Sequence, residues 1–245
     1  MWFEKNNIIY ISLPGVPYEM KGIMQEHVFP KLLSKMGGET VVVNKTIRTH
    51  GMGESFLAEI IKSWEDKLES NNIKLAYLPS PGIVKLRLSV LGLDQLILEK
   101  KLDDAIDELK ALIPDQIYGY GNVTMEGIVG NLLKDRELTV ATAESCTGGS
   151  VSKMLTSISG SSSYFNGSIV SYTNQSKVDL LNVDNNDIEN NGAVSQQVVE
   201  QMAEGVRNKL HADYGISTSG IAGPSGASIN KPVGLVYIGI KIGKK

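Results

Sequence analysis

The stretch LTVATAESCTGGSVSKML, residues 138–155, decides the fold. Residues 138–143 are apolar or β-branched, the pattern of a short buried strand. Gly148 and Gly149 then turn the chain, and a helix follows near 149–157. A strand passing through a glycine turn straight into a helix is the unit of an α/β layered domain. Ligands in such domains gather where loops leave the carboxyl ends of strands. Ser145 stands at that exit, followed by Thr147, Gly148 and Gly149 at the helix start. Glycines let a backbone approach a ligand closely, and the first amides of a helix are free to face an oxyanion. Cys146, the one cysteine of the chain, has no histidine in view to activate it and reads as packing beneath the loop.

Downstream the alternation continues. GSIVSYT (167–173) is a strand and NQSKVDLL (174–181) a short helix with Asn174 as its N-cap. Lys177 falls in the first turn of that helix, at the positive end of its dipole, where the neutral amine is favoured. A neutral lysine can take the proton of a serine hydroxyl, and Tyr172 at the strand end is placed to relay a proton or hold the lysine. The alternative is a solvated helix lysine and an interface tyrosine, the commoner state for any single lysine. Ser195 caps a helix to about 210, with Val198, Val199, Met202, Val206 and Leu210 on one face. YGISTSG (214–220) and VGLVYIGIKI (233–242) are the closing strands. Between them SGIAGPSG (219–226) is a second glycine loop, with Gly220, Gly223 and Gly226 able to cradle a phosphate. It matches neither a P-loop nor a dinucleotide fingerprint.

Upstream, a helix near 124–135 precedes the opening strand, and a linker at 114–123 (Pro114, Gly119, Gly121) marks the boundary. Residues 40–114 read βαββα, a small α+β module with a hairpin turned at Ser80-Pro81-Gly82. Before it come a buried strand from Ile8 to Ser12, a Pro-Gly-Val-Pro turn, and a helix from Pro17 to about Met36 that stops at Gly37-Gly38. The expected domains are therefore 1–39, 40–115 and 116–245. A chain that begins and ends inside regular structure reads as a fragment of something longer.

The 245 residues are 42% hydrophobic and 21% charged, with net charge −3, a globular composition whose balance argues against non-specific nucleic-acid binding but leaves a local basic patch open. No signal-like start and no run approaching the ~18 apolar residues of a membrane span is present. The expectation is a cytoplasmic protein without membrane or nucleic-acid partners. His27, His50 and His211 are scattered, and no metal or cofactor site is read. Asp184, Asp187 and Glu189 read as a solvated loop. Glu144 admits two roles, binding substrate or anchoring the loop.

Four segments, TVATAESCTGGSVSKML, GSSSYFNGSIVSYTNQSKVDLLNV, NGAVSQQVV and SGIAGPSG…KPVGLVYIGI, resemble in order the C-terminal domain of the CinA family, the competence/damage-inducible proteins. LPGVPYEM resembles the close of that family's molybdopterin-binding-like domain, and the βαββα stretch its KH-type module. The resemblance implies a three-layer α/β/α domain with nicotinamide-nucleotide amidase activity, preceded by the KH-type module and a remnant of an α/β domain. The implied reaction hydrolyses nicotinamide mononucleotide to nicotinate mononucleotide and ammonia, without a metal. The implied nucleophile is Ser145, with Lys177 as base, Tyr172 beside it, and Ser162 of the Gly-Ser-Ser segment tied to the site. It admits a homo-oligomer. The family's upstream ligand loop and a downstream arginine segment are absent, so ADP-ribose pyrophosphatase activity is not expected. The KH-type module has no GxxG clamp between its helices. Two other readings are a nucleotide-binding or assembly fragment without turnover, and a nucleic-acid role. Ammonia release separates the first of these from the amidase, and a salt-dependent DNA titration decides the second.

Overall fold

The computed structural model describes residues 1–36 and 40–243, which fall in two compact units, Met1–Asn122 and Val123–Lys245. In the first unit, Trp2–Lys5 (β1) and Ile8–Ile11 (β2) form an antiparallel hairpin. Asn6 and Asn7 turn it with φ of 53° and 61°, values asparagine tolerates better than most residues. The expected buried strand is thus a ribbon strand paired with β1, and Ile8 remains 54% exposed. Pro17–Ile23 (α1) and Phe29–Met36 (α2) replace the single expected helix, joined through a π-helical turn at Met24–Val28. Pro30 offers no N–H to the carbonyl of Glu26, and the backbone widens just before it. The expected stop at Gly37-Gly38 lies outside the described residues.

Val41–His50 (β3), Glu54–Ser70 (α3), Lys74–Ser80 (β4), Ile83–Gly92 (β5) and Gln95–Leu112 (α4) realise the βαββα order. Gly82, at φ +73°, turns the β4–β5 hairpin, and Asp94 caps α4 by accepting from the Leu96 and Ile97 amides. Leu57, Ile61 and Trp64 of α3 and Leu102 and Leu109 of α4 bury against Ile47, Leu86 and Leu88 of the sheet. Ile117–Tyr120 (β6) corrects the boundary. It adds to this sheet beside β3, giving the order β4-β5-β3-β6, so the supposed linker is a strand and the units part after Asn122. Ile117 packs on this core, and the Gly121 amide donates to the Thr46 carbonyl.

The second unit contains Met125–Asp135 (α5), Val140–Glu144 (β7), Ser150–Thr156 (α6), Phe165–Val170 (β8), Asn174–Leu181 (α7), Asn185–Asn191 (α8), Gln196–Lys209 (α9), Tyr214–Gly220 (β9) and Val236–Ile242 (β10). The sheet runs β10-β9-β7-β8, with β7 parallel to both neighbours and β10 antiparallel to β9. Every residue of β7 is buried, as a central parallel strand covered on both faces must be. Val140 faces a cluster with Leu155, Tyr164 and residues of α5. Ala141 and Ala143 face Leu181, Val198, Met202 and Val206 of α7 and α9. The result is the expected three-layer α/β/α domain. Within one helical layer α7 and α9 meet closely, because α9 carries Gly205 against the Leu181 carbonyl at the end of α7.

Candidate active site

β7 delivers Ser145 to the carboxyl end of the sheet. Its amide donates to the Thr218 carbonyl at 3.0 Å, tying the loop to β9 as it leaves. Gly148 (φ +57°) and Gly149 (φ +96°) then swing the chain into α6, a pair of conformations that side chains resist.

Glu144 organises that turn. Its Oε2 accepts from Thr147 Oγ1 (2.7 Å), the Gly149 amide (2.9 Å) and the Val151 amide (3.1 Å). Its Oε1 accepts from the Ser152 amide at 2.8 Å. Burial alone would push this carboxyl upward, but the bonds from Thr147, Ser152 and Val151 outweigh it and hold the group below the ordinary carboxylate range. This settles the two readings of Glu144 in favour of the anchor. It also corrects the oxyanion expectation: the first amides of α6 are already taken by an internal anion. The Gly148 amide donates to the Ser145 carbonyl. Among the described residues, the Cys146 and Thr147 amides have no acceptor and are the donors left for an incoming oxygen.

Lys177 arrives from the neighbouring strand exit. The N-cap of α7 is Thr173, not the expected Asn174, and a reciprocal capping box with Ser176 fixes the helix start. Lys177 is 1% exposed. Its Nζ donates to the Ser171 carbonyl at 2.8 Å and lies 3.1 Å from Ser145 Oγ. Among the described residues it makes no ion pair. Burial therefore drives the amine below its ordinary 10.5, with only the Cys146 thiol pulling weakly the other way. Burial thus favours the neutral amine, and here it faces a hydroxyl. The Ser171 hydroxyl beside it is buried without a partner among the described residues.

The other expected site residues divide. Gly220 ends β9 at the same edge of the sheet as Ser145, and Cys146 Sγ packs against it, 3.0 Å from where a Cβ would stand. Gly223 and Gly226 lie in the following loop at φ of +79° and +92°. Thr147 spends its hydroxyl on Glu144 and on Thr218 Oγ1, leaving only its amide to a ligand. Tyr172 sits at the right strand end but is 73% exposed, and the Ser171 carbonyl holds Lys177 in its place. Ser162 is a clear correction. It lies on the turn Ser161–Ser163 that feeds β8, at the amino end of the parallel strands, opposite Ser145. A segment between a helix and the next parallel strand must lie there, so this chain's own fold does not bring Ser162 to the dyad. Among the described residues no group of three His, Cys, Asp or Glu side chains is arranged to hold a metal, and no helix is long and apolar enough to cross a membrane.

The sequence has known counterparts. Residues 122–245 match the model of the CinA C-terminal domain, and residues 44–119 that of the damage-inducible protein CinA KH domain. The chain belongs to the CinA family. A CinA-like protein of Flavobacterium psychrophilum is 47% identical over 241 residues, 98% of this chain and 57% of that protein. One from Cytophaga hutchinsonii is 45% identical over 238 residues, 97% of this chain and 56% of its own length. The chain thus spans somewhat over half the length of the CinA relatives it matches. Among solved structures, the competence/damage inducible protein CihA of Agrobacterium tumefaciens is 41% identical, with a TM-score of 0.47 over 48% of this chain and 71% of that one. The two CinA matches part at residues 120 and 121, within a few residues of the unit boundary.

Proposed function

We propose that the second unit hydrolyses a carboxamide, with nicotinamide mononucleotide as substrate and nicotinate mononucleotide and ammonia as products. The observation that carries this reading is Lys177 Nζ, buried and without a counter-ion, 3.1 Å from Ser145 Oγ. Neutral Lys177 accepts the hydroxyl proton as Oγ attacks the amide carbon. The amides of Cys146 and Thr147 face the oxygen that gains charge. The C–N bond then breaks, Lys177 returns the proton to the departing nitrogen, and ammonia leaves behind an ester on Ser145. Water, deprotonated by Lys177, cleaves that ester to the acid and restores the serine. Tyr172, exposed at the mouth, is available to the substrate rather than to the lysine. Amides around Gly223 and Gly226 that have no partner among the described residues offer donors to a phosphate.

Ammonia release from nicotinamide mononucleotide, with Ser145→Ala as control, tests the reading. Release by the parent and none by the variant is expected. No release by the parent, or equal release by both, overturns it.

The reaction needs the neutral amine, so kcat rises with pH as Lys177 loses its proton and levels off below 10.5, the ordinary lysine value. A profile that still climbs past that value would show an unperturbed lysine.

A further inference from the structure

Glu144 takes no part in the chemistry proposed above, yet it is a 1% exposed carboxylate satisfied by four close donors on two oxygens, with Thr142 Oγ1 farther off at 3.5 Å. Successive residues of a strand point to opposite faces. Glu144 reaches toward α6 while Ser145 reaches toward Lys177 of α7, so the chain between them is held from both sides of the sheet. The four donors also flank the Gly148-Gly149 bend, with Thr147 before it and Gly149, Val151 and Ser152 on its far side. Two glycines at positive φ have little intrinsic preference to stay there. The carboxylate closes the bend like a staple.

We infer that Glu144 is a positioning residue, whose carboxylate fixes the 145–149 loop so that Ser145 Oγ is presented to Lys177 and the Cys146 and Thr147 amides face the reacting carbonyl. The chemistry selects a carboxylate. Only an acceptor without protons takes all four donors, whereas the glutamine amide turns two N–H groups toward N–H and O–H neighbours. The face matters as well. A carboxylate on the α7 side would pair with Lys177 and keep it protonated. On the α6 side, the same charge orders the nucleophile loop without disarming the base. The inference rests on the Ser145–Lys177 reading, and its test separates the two.

Glu144→Gln is compared with the parent in ammonia release from nicotinamide mononucleotide, in thermal melting, and in NMR titration of lysines labelled at Cε. A displaced nucleophile is expected to lower kcat by about 100-fold. KM should stay within about threefold, since the lost interaction serves the reaction and not ground-state binding. The Lys177 midpoint should rise, because a loosened loop admits water to the amine. A role in stability alone would lower the melting temperature and leave kcat and the midpoint of the folded protein where they were, and that result overturns the inference. If the parent releases no ammonia, the amidase reading fails and the midpoint alone decides: a rise supports positioning and an unmoved value refutes it. If Glu144→Gln does not fold, Thr147→Val removes one of the four donors, with about a tenfold loss of kcat expected and parental kcat again overturning the inference.

Discussion

Lys177→Met is expected to lose ammonia release by about 1,000-fold or more while melting at a higher temperature than the parent. The first effect follows from removing the group that takes the Ser145 proton, a contribution of about 10²–10⁴ for a positioned base. The second follows from burial. Lys177 is 1% exposed and has no counter-ion among the described residues, so burial on folding disfavours its charged form. Its folded pKa lies below 10.5, and the unfolded state binds more protons between those two values. Stability therefore rises with pH across that window, and below it the burden is fully present. Methionine fills the same volume with no proton to lose, and the gain should be about 1 kcal/mol or more. Paired melting curves below the window and near 10.5 check this: the variant's advantage should shrink as pH rises. A variant that melts lower than the parent at neutral pH would show that Lys177 is a stabilising residue, and the argument for a strained base would fall.

Gly205→Ala is expected to lower the melting temperature of the second unit on the order of 10 °C. Two effects compete. Alanine in a helix interior is favoured over glycine by about 1 kcal/mol. Against this, a Cβ at Gly205 would overlap the backbone carbonyl of Leu181, which is no flexible side chain and cannot swing aside. Overpacking of this kind costs about 3 kcal/mol or more, so the clash wins. Relief requires α7 and α9 to separate, and α7 carries Lys177. Ammonia release should fall along with stability. Circular dichroism melts of the variant decide the matter, and a melting temperature unchanged or raised would show that the helices already have room.

The meeting of Ser145 and Lys177 was legible in the sequence because both stand at strand exits, and exits on one edge of a parallel sheet meet in space. Lys177 could be placed there even though the cap was misassigned by one residue, since Thr173 and Asn174 are both good caps. Ser162 was misplaced for the converse reason. Its motif sits close to the others in the chain, but a segment entering a strand and a segment leaving one lie at opposite ends of the sheet. Glu144 stayed ambiguous because a glutamate beside a nucleophile does not announce which face it takes. Its direction follows only from the last strand residue pointing away from Ser145. The sixth strand was hidden by its own composition: four residues, one of them Gly119, lying between Pro114 and Gly121, read as punctuation rather than as a partner for β3. The asparagine pair of the first hairpin is itself a turn signal, since asparagine tolerates positive φ.

The site also inherits a constraint from hydrogen-bond register. Glu144 lies opposite Val170 on one side and Thr218 on the other, and the bonds from the Ser145 amide to Thr218 and from the Ser171 amide to Glu144 extend those ladders by one step. Ser145, Ser171 and Thr218 meet only at that alignment. Sliding β8 by a single residue would invert the faces of its side chains and carry the Ser171 carbonyl away from Lys177. Substitutions anywhere along β7, β8 or β9 that bias the alignment would thus be silent in composition and loud in catalysis. The proposed active centre is, in this sense, written along the full length of three strands and only displayed at their ends.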